Sequence, residues 1–166
     1  MKPGRRLVLV RHAKSSWDYA ELADFERPLS PRGRRDAPAM AQRLAAEIKP
    51  PLRLVSSPAL RAITTAHAFA EALDVPREQI RLEPRIYEAT APALLEVVRQ
   101  LDPADNQVLL FGHNPGFSDL AVLLADSPIA EMPTCAVLRL RLKVNAWSEV
   151  EPGEAAIESY DFPKKA

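Results

Sequence analysis

The sequence has a single cysteine, Cys135, which excludes an intrachain disulfide and favours a reducing compartment. It has no surplus of either charge, because 22 Lys and Arg balance 22 Asp and Glu. No broad basic field for nucleic acid or an anionic membrane is expected, so any preference for an anion must be local. No apolar run approaches the roughly 20 residues that span a bilayer. Arg5-Arg6 faintly resembles a twin-arginine signal, but the apolar stretch behind it, Leu7-Val8-Leu9-Val10, is far shorter than a signal core. A cytoplasmic chain is expected. Also lacking are a G-x-x-x-x-G-K-[ST] phosphate loop, a G-x-G-x-x-G fingerprint and a G-x-S-x-G nucleophile elbow. Neither an H-x-x-x-H spacing nor a cysteine cluster is present to hold a metal.

What is present divides into strands and helices by period. At 166 residues the chain is long enough for one domain with a proper core, and a single domain over 1–166 is expected. Leu7 to Val10, Leu52 to Val55 and Val108 to Phe111 are short apolar runs of the kind that strands buried on both faces show. Between the first two, Ser30-Pro31 marks a helix start, followed by Ala37, Met40, Ala41, Leu44, Ala45 and Ile48 along one face. Gly33 and Pro38 predict a late start or a kink, and Pro50-Pro51 a stop. A second helix is expected over about 59–73, with Leu60, Ile63, Thr64 and His67 on its apolar face and His67 packed there for structure. A third begins at Ala91-Pro92, and a fourth covers about 117–125. Ala136 to Val144 alternates apolar with Arg139, Arg141 and Lys143, as a strand near a sheet edge does. Ala155 to Tyr160 reads as a last strand, with a frayed tail behind it. Strands alternating with helices predict a three-layer α/β sandwich around a mostly parallel sheet.

The polar residues that matter stand where apolar runs stop. Arg11-His12 follows the first run, Ser56-Ser57-Pro58-Ala59-Leu60-Arg61-Ala62 the second, and Gly112-His113-Asn114-Pro115-Gly116 the third. Ligands of open α/β sheets bind beyond the carboxyl ends of the strands, so these groups are expected to converge at one rim. Two guanidiniums there can clamp a phosphoryl group and keep a neighbouring imidazole neutral and nucleophilic. Amides near Asn114 and Gly116, at the start of the next helix, are candidate extra donors. Cys135 and Arg141 match the C-x5-R spacing of cysteine phosphatases. The residues between them lack glycine and alternate like a strand, so the match is read as accidental.

Leu9-Val10-Arg11-His12-Ala13-Lys14-Ser15, Arg27-Pro28-Leu29-Ser30-Pro31-Arg32-Gly33, the 56–62 segment with Thr65-Ala66, and Gly112-His113-Asn114-Pro115-Gly116 together resemble the histidine phosphatase superfamily. The likeness spans nearly the whole chain in order, and is greatest to the small SixA-type phosphohistidine phosphatases. It implies the phosphoglycerate mutase-like fold and a reaction through a phosphohistidine intermediate with no metal or other cofactor. His12 is implied as the nucleophile, Arg11 and Arg61 as phosphate clamps, and His113 as a second phosphate contact. Glu88 resembles the mutase branch's acid by its place between Arg61 and His113; Asp18, Glu21 and Asp24 are lesser candidates for that role. Lys14 and Asn114 are candidate substrate contacts. The expected substrate is a phosphohistidine-bearing protein or a phosphorylated small molecule. A mutase and a non-catalytic phosphate-binding signalling module are the rival readings.

Overall fold

Six strands form one sheet in the order β3-β2-β4-β1-β5-β6, in a computed structural model that describes residues 4–165. The strands are β1 (Arg5–Arg11), β2 (Arg53–Ser56), β3 (Arg81–Leu82), β4 (Gln107–Gly112), β5 (Val137–Leu142) and β6 (Ala155–Asp161). The helices are α1 (Pro31–Ala45), α2 (Leu60–Ala72), α3 (Ala91–Arg99) and α4 (Gly116–Ala125). β3, β2, β4 and β1 run parallel, while β5 is antiparallel to β1 and β6 to β5. This is the α/β three-layer sandwich that the period of the sequence predicts.

The central runs are continuous because both sheet faces are covered. Val8 and Val10 pack with Leu109 and Phe111 against α1 and α2, whereas Leu7 and Leu9 pack with Val108 and Leu110 against α3 and α4. Full burial of a Val or Leu stabilises by roughly 1.5–3 kcal/mol, so neither face of these strands can be polar. β5 keeps Leu138, Leu140 and Leu142 fully buried and leaves Arg139 and Arg141 partly exposed. It is one strand in from the edge, which β6 occupies.

Four local readings change. α1 starts at Pro31 without delay: Ser30 Oγ accepts from Gly33 N at 3.1 Å, and the helix continues through Pro38, which lies on its exposed face. It also ends at Ala45, well before Pro50-Pro51. In α2 the buried face is Arg61, Ala62, Thr65, Ala66, Phe69 and Ala70, so Leu60 lies exposed and His67 half-exposed. Ala62, Ala66 and Ala70 line the packed stripe together with Phe69, while Leu60 and Ile63 stay outside it. The tail after β6 is held rather than frayed, since Arg43 Nη1 donates to Phe162 O and Asp161 Oδ1, each at 3.2 Å.

Candidate active site

Parallel pairing of β1 with β4 brings the two histidines together. Arg11 is level with Gly112 across the ladder, and His12 N donates to Gly112 O at 3.0 Å. The chain leaves both strands at the same height, leaving the His12 and His113 rings 5.2 Å apart between centroids. β2 lies on the other side of β4. Ser57 N donates to Phe111 O at 2.9 Å, which sets the turn into α2 and places Arg61 in its first turn. Thr65 Oγ1 accepts from Ala13 N at 3.0 Å and so fastens α2 to the segment just after His12.

One hydrogen bond fixes the chemistry of His12. Its Nδ1 lies 2.7 Å from Ala13 O, and a carbonyl can only accept. Nδ1 therefore carries the proton, and Nε2 keeps a free lone pair. The ring is 7% exposed, and its pKa is pushed down to about 3. Burial is the main cause; His113, Arg61 and Arg11 add to it, and the Ala13 carbonyl opposes it. His113 is lowered to about 4, first by burial and then by Arg61. Its Nε2 lies 2.8 Å from Ser57 Oγ.

These shifts give a stability prediction. Both histidines titrate below the ordinary 6.5 in the folded chain, so from about 6.5 to about 4 the unfolded chain binds protons the native one refuses. Stability is full above the unfolded value and falls as the pH drops through that window. Thermal melts across it should show a falling Tm, with a flatter profile in a His12→Asn, His113→Gln double variant. An equally steep profile in that variant would place the acid sensitivity elsewhere.

Arg11, His12, Lys14, Arg27 and Arg61 line a cup of about 160 Å³, in whose wall no carboxylate stands among the described residues. Four cationic side chains therefore converge on one cup in a chain without net charge. Arg11 Nη1 donates to Met132 O at 2.8 Å, and burial lowers the guanidinium's pKa. Arg61 is 7% exposed; its Nη1 donates to Asp24 O at 2.7 Å and its Nη2 to Asp24 Oδ2 at 3.0 Å. Lys14 is exposed at the rim of the cup.

Beside the cup opens a cleft of about 450 Å³ that shares Arg61 with it and includes His113, Asp24, Tyr87, Glu88 and Asp119. Glu88 is exposed on its wall and has φ of 57°, a left-handed backbone that a side chain of this kind rarely adopts. Asp24 is held well inside the ionised range, at about 2, first by the Tyr87 hydroxyl and then by Arg61 and Arg27. Tyr87 Oη donates to Asp24 Oδ2 at 2.7 Å, and its own pKa rises to about 12. Both Asp24 oxygens thus accept hydrogen bonds from fixed donors, the arrangement of a held carboxylate rather than of a proton donor.

Asn114 lies at the wall of the cleft, but both ends of its amide are engaged. Nδ2 donates to Met132 O at 2.8 Å, and Oδ1 accepts from Ser118 Oγ at 2.8 Å and Ser118 N at 3.2 Å. Phe117 N likewise goes to His113 O at 2.9 Å, so these two first-turn amides of α4 are taken by the segment that leads into the helix. Cys135 is buried and its thiol pKa is pushed up, first by burial, which agrees with the accidental reading of C-x5-R. Among the described residues no three His, Cys, Asp or Glu side chains group as metal ligands.

Sequence reasoning missed Arg27, Tyr87 and Ser57 as site residues. Arg27 and Ser57 stood inside quoted motifs without a role. Tyr87 stood beside Glu88, and its edge-on contact with His113, at 5.5 Å between ring centroids, has no sequence signal.

The parallel part of the sheet carries His12, His113 and a carboxylate-free arginine cup at its carboxyl rim, an arrangement suited to binding a phosphoryl group. Residues 7–94 match the model of the histidine phosphatase superfamily, branch 1. The chain belongs to that superfamily and is a phosphatase acting on a phosphorylated substrate. An uncharacterized protein of Mycobacterium tuberculosis, Rv1276c, is 33% identical over 166 residues, covering 93% of this chain and 100% of that one. The fold is shared with a structure assigned as the phosphohistidine phosphatase SixA from Nakamurella multipartitia, at a TM-score of 0.82 and 24% identity over 98% of both chains. It is also shared with the protein histidine phosphatase SixA complexed with tungstate, at a TM-score of 0.79 and 22% identity over 95% of this chain and 97% of that one.

Proposed function

We propose that the chain hydrolyses phosphohistidine on a protein through a phosphohistidine intermediate of its own on His12. The observation that carries the mechanism is the 2.7 Å hydrogen bond from His12 Nδ1 to Ala13 O, which leaves Nε2 as the nucleophile. Nε2 attacks phosphorus in line, a P–N bond to His12 forms, and the bond to the leaving group breaks. Arg11 and Arg61 hold the equatorial oxygens, and His113 is a further contact to them. Water then attacks the phosphorus, the P–N bond to His12 breaks, and inorganic phosphate leaves. An imidazole leaving group needs little help from an acid. An alkoxide does need a proton, for which Glu88 in the cleft is the candidate.

The protein substrate is favoured by exposed aromatic side chains on the 13–29 loop, of which Trp17 lines the cup and Phe25 packs edge-on against Tyr87 of the cleft. A small phosphomonoester is the second reading, favoured by the 450 Å³ cleft, which has room for a modest leaving group beside Glu88. Rapid quenching during turnover of a phosphohistidine protein should trap phosphate on this chain that is acid-labile and alkali-stable. Turnover of an aryl phosphate alone, with no activity on the phosphoprotein, would decide for the second reading. Trapped phosphate stable in acid, or none at all, would defeat the intermediate for both.

A further inference from the structure

The 13–29 loop sends one carboxylate into the site, and everything around it holds it still. Asp24 Oδ1 accepts from Arg27 Nη1 at 3.0 Å, while Oδ2 accepts from Arg61 Nη2 at 3.0 Å and Tyr87 Oη at 2.7 Å. Arg61 Nη1 also reaches the Asp24 backbone carbonyl at 2.7 Å, so one residue grips that guanidinium at two points. Arg27 is in turn fixed on its remaining sides. Its Nε donates to Ser16 O at 3.1 Å, its Nη2 to Ser15 Oγ, and its guanidinium stacks on Trp17 at 3.3 Å from the ring centroid. A chain of contacts therefore runs from Trp17 and Ser15 through Arg27 and Asp24 to Arg61.

We propose that Asp24 is a positioning residue whose carboxylate bridges Arg27 and Arg61 and sets the plane in which Arg61 meets the phosphoryl group. The inference rests on the reading that Arg61 holds the equatorial oxygens. Arg61 has five N–H donors, and the two committed to Asp24 leave three for the phosphoryl oxygens. Asp24 lines the cleft and not the cup, so of the two cavities that share Arg61 it meets the guanidinium on the cleft side. Stability alone does not account for this arrangement. The Asp24 side chain is 50% exposed, and ion pairs of such exposure contribute little to folding. Orientation of a charged fork is different, because a displacement of an ångström at the reacting centre costs about 100-fold in rate. Asp24 also offsets one of the positive charges beside the cup, so losing it leaves the cup no less attractive to an anion.

The test is a split between kcat and anion binding. Asp24→Asn should lower kcat by about 10- to 100-fold, while the inhibition constant for inorganic phosphate does not rise. In an Arg61→Lys background the same substitution should cost less than about 3-fold, because an ammonium has no plane to orient. An unchanged kcat in Asp24→Asn, a full-sized effect in the lysine background, or a raised phosphate inhibition constant would each overturn the proposal. So would a loss of turnover that tracks a lost folded fraction in the melt, which a half-exposed carboxylate is not expected to cause. Arg61→Lys at the unmodified rate would instead defeat the reading of Arg61 itself, so the two failures are told apart.

Discussion

Replacing His12 by alanine is expected to lower kcat by about 10⁴-fold or more and to abolish the trapped phosphate, while the chain stays folded. Loss of a covalent nucleophile removes the reaction path itself, and comparable losses elsewhere reach about 10⁶-fold. Among the described residues the ring makes one protein hydrogen bond, to Ala13 O, and the substitution is expected to cost about 1–3 kcal/mol of stability. His113→Gln provides the contrast. His113 is held at Nε2 by Ser57 and is read as a contact to the phosphoryl oxygens, so its loss should cost about 10²- to 10³-fold. Slow labelling of His12 should persist in that variant. Substantial turnover in His12→Ala, or a labelled His113, would reverse the roles of the two rings.

Gly33→Ala has the second large effect, and two opposed terms decide it. Alanine is the better helix former by about 1 kcal/mol, and Gly33 sits in the first turn of α1, so propensity alone favours the substitution. A β-carbon there would stand 2.1 Å from Lys14 O and 3.0 Å from Lys14 N and C, all backbone atoms. A carbonyl cannot swing aside as a side-chain tip does. Lys14 O also accepts from Ser30 N at 2.8 Å, so moving it disrupts the entry to α1. Overpacking of this kind costs typically about 1–3 kcal/mol, which exceeds the gain in propensity. The forced shift lies two residues from His12, so kcat should fall by about 10-fold or more even in the fraction that remains folded. A more stable, fully active Gly33→Ala enzyme would show that the Lys14 backbone gives way freely.

The strands and the rim were readable because their signals are local. An unbroken apolar run bounded by Arg11-His12 or Gly112-His113 states both the burial of the strand and where its polar end emerges. The face of α2 was misread because hydrophobicity was weighed above size. Ala62, Ala66 and Ala70 are buried, and so is Arg61, which no hydropathy pattern places inside. Asn114 was read as a candidate substrate contact. Its engagement with Met132 and Ser118 depends on where the 127–135 segment returns, which spacing does not tell. Asp24 was least visible. It sits in an aperiodic loop, and its partners Arg61 and Tyr87 lie 37 and 63 residues away. In sequence it resembles any solvated carboxylate.

The pairing of β1 with β4 also bears on how the enzyme comes into being. Arg6 lies opposite Gln107, about a hundred residues along the chain, whereas β2 meets β4 across roughly half that distance. Closing the longer loop costs more chain entropy and slows assembly, so the β2-β4 unit with its helices is expected to form before β1 docks beside it. Docking of β1 is the step that brings His12 and Arg11 up to His113. During refolding, recovery of turnover should therefore lag behind recovery of helical signal. An anion that binds the finished cup should hold β1 in place and raise the melting temperature with the logarithm of its concentration once that exceeds the Kd.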